Sequence, residues 1–273
     1  MSLKKELKDV VPKDLMKYIP SSYDIIGNVI IINIHEKLKK YYDLIGSTLL
    51  KIHKNVKSVY RIKGRTCGIH RIRPLELIAG VELDHTVHVE YGVKFHVDFK
   101  RVYINPSLGY EHHRISTLTR DGERVLDMFS GIGGFTLHIA SKRVAHIVAV
   151  DINIHAIRSL VKSLELNRIK GYVDPIVSDS KHLCETLGYK FDRVIMNYPE
   201  GSHMFIKTLC STLKSEGGYV HYYRFSDLMH KPVFELILGV KTYGRRVVKI
   251  HNVRRVLKAT PSRSLYAVDA YIL

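Results

Sequence analysis

The chain has 273 residues, enough for one large domain or two with a substantial core. Forty-three Lys and Arg stand against 26 Asp and Glu, a formal charge of +17, which points to an acidic partner, nucleic acid foremost, although a generally Lys-rich soluble protein would show the same balance. There is no apolar run near the roughly 18 residues of a membrane span, Met1 to Pro12 is charged rather than signal-like, and three widely spaced cysteines without a C-x-x-C indicate neither a disulfide framework nor a zinc site. A soluble, cytoplasmic protein is expected. His85, His88, His112 and His113 lack helical spacing with a carboxylate, so no metal site is expected.

Residues 1–20 form a basic, amphipathic lead-in. Residues 28–34 read as a strand, 36–54 have helical periodicity, and 57–63 alternate basic and apolar residues as a half-exposed strand. Sustained alternation over 85–90 and 93–99, with Tyr91-Gly92 between, predicts a hairpin, followed by a strand at 102–104. Pro106 breaks that pattern, and 108–119 is expected to be a connecting helix. From Arg124 the period switches to β/α alternation, with strands near 124–129, 146–150, 173–177, 191–196, 217–223, 245–250 and 265–272. Helices fill 134–142, 153–167, 180–187, 202–214 and 227–238. Seven strands whose last two are joined by a loop suit an open α/β sheet ending in an antiparallel hairpin. The turn at Thr119-Arg-Asp-Gly122 sets the expected division into an α+β domain, 1–118, that positions RNA or substrate, and a catalytic domain, 119–273.

The chemistry centres on Val125-Leu-Asp-Met-Phe-Ser-Gly-Ile-Gly-Gly-Phe135, an apolar strand running into a glycine turn over a helix start. The next strand ends at Asp151. Glycines let backbone approach a ligand, and an acid at a strand tip can accept hydrogen bonds from a ribose diol. The turn is Asp127-x-x-x-Gly131-x-Gly133, and Thr136 stands where a pyrophosphate fingerprint wants its third glycine. Asp127 would repel a pyrophosphate but suits a cationic, amine-bearing ligand. This combination resembles motif I of the class I S-adenosylmethionine-dependent methyltransferases, which have a Rossmann-like seven-stranded sheet. The resemblance implies S-adenosylmethionine as cofactor, held by Asp127, Phe129, Gly131, Gly133, Phe135, Asp151, Ile152, Asp179 and Asn197.

Asn197-Tyr-Pro199 follows the fourth strand of the second half, at the sheet end where such folds hold ligands. It is similar to the N-P-P-Y loop of methyltransferases that act on nitrogen, with Tyr198 for the first Pro and Glu200 for the last aromatic. Two further stretches complete the pattern, Gly68-Ile-His-Arg71-Ile-Arg73-Pro and Tyr103-Ile-Asn-Pro106-Ser-Leu-Gly-Tyr-Glu111-His-His-Arg114. Together, over residues 20–273, they resemble the archaeal and eukaryal type of tRNA (guanine-37-N1)-methyltransferase. That likeness implies Glu111 as general base, Arg71 as the catalytic arginine, Tyr103 as the aromatic near the base, and Asn197 and Pro199 as the loop. Ser107 stands where the family commonly has Arg, and His112 where Arg usually follows the Glu. A form without the family's N-terminal tRNA-reading module is implied, acting on tRNA as a monomer with no obligatory protein partner.

Guanine N1 carries a proton at neutral pH, so a base must accept it as the N1–C bond forms, which suits Glu111. Charge then grows on O6, which suits the fixed donor fork of Arg71. Glu111 could instead pair with Arg114 three residues on. The run from Arg254 and Arg255 through Lys258 to Arg263, with Arg245 upstream and Arg114, reads as a phosphate-gripping surface or a solvated loop. The nearest rival is the wybutosine-pathway aminocarboxypropyl transferase, which lacks Asn-x-Pro at the matching place. A non-catalytic RNA-binding module conflicts with the intact motif I and Asp151. An NAD-dependent oxidoreductase conflicts with the missing glycine.

Overall fold

The computed structural model describes residues 2–64, 72–187 and 190–273. The chain divides into two compact units, Met1–Pro106 and Ser107–Leu273. In the first, β1 (Asp24–Ile26), β2 (Val29–Ile32), β3 (Ser58–Ile62) and β4 (Leu75–Gly80) form one sheet in that order. Helix α1 (Leu3–Leu7) precedes it, and α2 (Tyr42–Ile52) makes the crossover that lets β2 and β3 run parallel. Leu3, Leu7, Ile30, Ile32, Leu38, Ile45, Leu49 and Val59 are buried together, which is why the lead-in is amphipathic. The predicted hairpin is β5 (Thr86–Glu90) and β6 (Val93–Val97), turning through Tyr91 and Gly92, both at positive φ. The strand expected at 102–104 does not form; that stretch is irregular.

In the second unit, α3 (Gly109–Leu118) leads into β7 (Arg124–Asp127), α4 (Gly134–Lys142), β8 (His146–Asp151), α5 (Ile154–Glu165), β9 (Tyr172–Val177) and α6 (Ser180–Thr186). There follow β10 (Arg193–Met196), α7 (Ile206–Thr212), β11 (Gly218–Ser226), α8 (His230–Thr242), β12 (Val247–Thr260) and β13 (Arg263–Ile272). The seven strands lie in the order β12-β13-β11-β10-β7-β8-β9, five parallel, with β13 antiparallel between β11 and β12. Val125, Leu126, Ile147 to Val150 and Val194 to Met196 are fully buried, as near-continuous apolar runs in a two-sided parallel sheet require. Pro175 is accommodated because β9 is an edge strand.

The unit boundary falls twelve residues before the expected one, at 106 rather than 118. Ile115 of α3 is buried with Val125, Phe135 and Ile139, so the supposed connecting helix belongs to the second core. The final hairpin is also longer than expected. Arg254, Arg255 and Lys258 lie on β12 rather than in a loop, and only Pro261 and Ser262 separate the paired Thr260 and Arg263.

Across neighbouring strands of the sheet runs a chain of buried charge. Arg193, 2% exposed, donates to Glu123 from Nε at 2.7 Å and Nη2 at 3.0 Å. Its Nη1 lies 2.6 Å from His221 Nε2, and His221 Nδ1 lies 2.6 Å from Asp269. Because arginine only donates, Nε2 must accept, so the neutral ring carries its proton on Nδ1 and gives it to Asp269. Full burial pushes the His221 pKa down, in keeping with that neutral form. Arg193→Ala should strand Glu123 and cost the second unit about 3–5 kcal/mol, read as a lower urea midpoint. A loss below about 1 kcal/mol would remove this chain from the account of stability.

Candidate active site

Motif I folds into a turn whose shape depends on two glycines. Gly131 has φ +53° with open space above it, and Gly133 has φ +92°, where a Cβ would strike Leu160 Cδ1 at 2.4 Å. Helix α4 starts immediately after. Asp151, half-buried at the tip of β8, accepts from the Gly131 amide through Oδ2 and from the Asn153 amide through Oδ1, each at 2.8 Å. Ile152 beside it is exposed, and Asp179 caps α6 by accepting from the Lys181 amide. Ser180 at the start of α6 donates to the Met128 carbonyl, which ties Asp179 to the motif I strand.

Asp127 has a task beyond the expected one. It is wholly buried under the turn, where Oδ2 accepts from the Thr136 hydroxyl at 2.8 Å and braces the loop, while Oδ1 has no hydrogen-bond partner among the described residues. Burial, with Asp151 nearby, raises its pKa to about 7. Thr136, where the third glycine is missing, therefore has a structural task.

Asn197 leaves the C-terminal end of β10. Met196 pairs with Tyr222, so Asn197 follows at the level of Tyr223. Tyr198 packs against Phe129 of the turn with ring centroids 5.3 Å apart, and both touch Phe205. The loop is fastened from outside: Arg224 Nη1 donates to the Pro199 and Glu200 carbonyls at 2.9 Å each, and Arg263 pairs with Glu200 at 2.9 Å. Ser202 Oγ donates to the Met196 carbonyl at 3.0 Å or the Tyr198 carbonyl at 2.8 Å from within. An open cleft of about 550 Å³ has the two arginines that hold this loop, Arg224 and Arg263, on its walls together with Lys231.

Glu111 is 1% exposed on α3. Its Oε2 accepts from Arg114 Nε at 3.1 Å, Arg114 Nη2 at 2.9 Å and the Tyr223 hydroxyl at 2.9 Å. Oε1 receives no well-aligned hydrogen bond, yet Arg254 Nη1 stands 2.6 Å away. Arg114 also reaches Asp269 through Nη1 at 2.6 Å. Burial opposes the Arg114 charge, but the bonds to Asp269 and Glu111 outweigh it and hold the group protonated. Asp269 loses basicity in turn: burial favours its acid form, but donors from His221 and Arg114 hold it well below the usual carboxylate range. Burial, reinforced by the Glu111 charge, raises Tyr223 well above the ordinary phenol value, so it remains a donor. The Tyr223 ring lies 5.5 Å from Phe135 of α4, linking Glu111 to the cofactor turn.

Several expected RNA contacts are engaged elsewhere. Arg114 points inward with a side chain 12% exposed, Arg245 donates to the Leu213 and Lys214 carbonyls past α7, and Arg263 holds Glu200. Arg255 and Lys258 are exposed on β12. Tyr103 lies in the first unit, its ring 5.6 Å from the Arg73 guanidinium, and Arg71 lies outside the described residues. Residue-type reasoning missed Tyr223, His221 and Asp269, although a lone His and a lone Asp inside apolar strands were visible signals.

The sheet order, the glycine turn and the strand-tip acid define a class I methyltransferase fold and its cofactor face. The comparisons agree, and the chain belongs to the TRM5/TYW2 methyltransferase family, whose TRM5/TYW2 methyltransferase domain matches residues 86–248 and whose TYW2 N-terminal domain matches 3–83. It is 40% identical over 255 residues to the tRNA (guanine(37)-N(1))-methyltransferase Trm5b of Pyrococcus abyssi, spanning 90% of this chain and 75% of that one. It is 29% identical over 252 residues to the tRNA(Phe) (4-demethylwyosine(37)-C(7)) aminocarboxypropyltransferase of Pyrococcus horikoshii, spanning 91% and 88%. The structure of aTrm5 in complex with tRNALeu superposes with a TM-score of 0.85 at 31% identity, covering 99% of this chain and 78% of that one.

Two buried oxygens fit an adenosyl ligand here: Ser130 Oγ in the turn and Asn197 Oδ1 after β10 have no hydrogen-bond partner among the described residues. A bound ligand would satisfy them. If Asp151 holds the ribose diol, Asp151→Ala should weaken S-adenosylmethionine binding by about 1–3 kcal/mol in calorimetry. Unchanged affinity in a folded variant would take Asp151 out of the site.

Proposed function

We propose that this protein is a tRNA (guanine-37-N1)-methyltransferase that acts on the anticodon loop as a cytoplasmic monomer. The observation that carries the reading is Glu111, a carboxylate 1% exposed, held at Oε2 by Arg114 and by Tyr223, whose ring abuts Phe135 of the cofactor turn. Held in that way at Oε2, the group has Oε1 left for proton transfer once the Arg254 guanidinium, 2.6 Å away, moves off it. S-adenosylmethionine would supply a methyl group on a sulfonium, held by Asp151, the Gly131 turn, Ser130 and Asn197. As the N1–C bond forms, Glu111 Oε1 takes the N1 proton, and Arg71 meets the charge that develops on O6. Asn197 carries both donor and acceptor for the guanine edge, and Pro199 stiffens its loop. Tyr103 supplies an aromatic face beside the base, the first unit positions the RNA, and Arg255 and Lys258 meet phosphates.

The aminocarboxypropyl reading has its own support in the TYW2 N-terminal domain match and the P. horikoshii relative. The higher identity to Trm5b and the Asn197-x-Pro199 loop favour methyl transfer. With S-adenosylmethionine, a tRNA transcript bearing guanine at 37 should gain one methyl group by mass analysis and leave S-adenosylhomocysteine. The adenine-37 transcript should not react. Methylthioadenosine, with a nucleotide heavier by an aminocarboxypropyl group, would overturn the methyl reading.

A further inference from the structure

Glu111, if it is the base, is closed in this structure. Oε2 is held by Arg114 and Tyr223, and Oε1 is covered by Arg254 at 2.6 Å. Three of the groups around it are fixed by the fold. Arg114 is locked by Asp269, Tyr223 is fully buried in β11, and Asp269 is in turn held by His221, whose other ring nitrogen meets Arg193. Arg254 is different. Its side chain is 29% exposed, it comes from β12 at the edge of the sheet, and its guanidinium lies 4.8 Å from the centroid of the exposed Tyr110 ring. Arg255 and Lys258 on the same strand are exposed to an approaching polyanion.

We propose that Arg254 is a latch on Glu111 released by RNA: a phosphate of the docked strand takes the Arg254 guanidinium, and Oε1 is freed to face the target base. This rests on the reading of Glu111 as the base. The exchange swaps the pair between partly exposed Arg254 and buried Glu111 for a phosphate–guanidinium pair, and the cost of uncovering Oε1 is met by the docking of the RNA. The consequence is chemical. With Arg254 beside it both Glu111 oxygens are covered; once Arg254 leaves, only Oε2 stays covered and Oε1 can reach the base. Proton acceptance is thereby tied to a seated substrate.

Glu111 and RNA phosphate then compete for Arg254, which binding alone can test without cofactor or turnover. In filter binding with a tRNA transcript bearing guanine 37, Glu111→Gln should tighten binding roughly threefold to tenfold. The gain should vanish in the Arg254→Ala background. Unchanged or weaker binding by Glu111→Gln, or a gain that survives Arg254→Ala, would overturn the latch. Should Glu111→Gln not fold, the wild type serves: with nitrogen-15-labelled arginine, adding the anticodon stem-loop should move the Arg254 side-chain resonance, assigned by its loss in Arg254→Lys, and leave that of Arg114 in place. An unmoved Arg254 resonance in the complex also overturns the proposal. Failure of these tests while the wild type still methylates guanine 37 sinks the latch alone. A Glu111→Gln variant that methylates guanine 37 at nearly the wild-type rate, with the binding coupling intact, sinks the base assignment and leaves Arg254 as an RNA contact.

Discussion

The Arg114 guanidinium between Glu111 and Asp269 is the contact on which the second unit's functional face depends. It joins the helix that opens the unit to the strand that ends it, across 155 positions of sequence. Signs then alternate inward from the face, Glu111, Arg114, Asp269, neutral His221, Arg193 and Glu123, so that each buried charge has an opposite neighbour or a hydrogen bond. A buried ion pair of this kind adds little net stability over apolar packing, but losing one member is costly. Its effect is to fix α3 in one place, with Glu111 beside Tyr223 and Phe135.

That arrangement changes the meaning of the +17 charge. Arg114, Arg193, Arg224, Arg245 and Arg263 all serve the protein's own carboxylates or carbonyls. The net charge thus overstates the number of cations free to meet an acidic partner, while Arg255 and Lys258 on β12 remain exposed.

The parts legible in the sequence were those set by local chemistry. The alternation of strand and helix, the glycine turn with Asp151 after it, the Tyr91-Gly92 hairpin and the basic final hairpin could all be read from short windows. What was not legible came from distant pairing. Asp127 reads from its spacing as a ligand contact, and its added task of bracing the turn through the Thr136 hydroxyl nine residues on could not be read there. The length of β12 was hidden because bulges after Val247, Ile250, Arg255 and Lys258 break its alternation. Residues 102–104 have strand composition but no strand partner in the structure, and composition cannot supply one. The pairing of Glu111 with Arg114 was anticipated as a bland alternative to catalysis. The structure contains the pair, with Arg114 on Oε2 and Arg254 beside Oε1, and the proposed base role needs only that Oε1 be uncovered.

The central claim is that a carboxylate fixed by buried charge accepts the proton of the reacting nitrogen. Single-turnover kinetics of Glu111→Gln with saturating tRNA and S-adenosylmethionine tests it most directly, because the amide keeps the side chain's size and hydrogen bonding but cannot take a proton. The account predicts a rate lower by ~10²–10⁴-fold while the variant still binds tRNA. A rate within a few-fold of wild type at neutral pH would contradict it and leave Glu111 as a structural partner of Arg114.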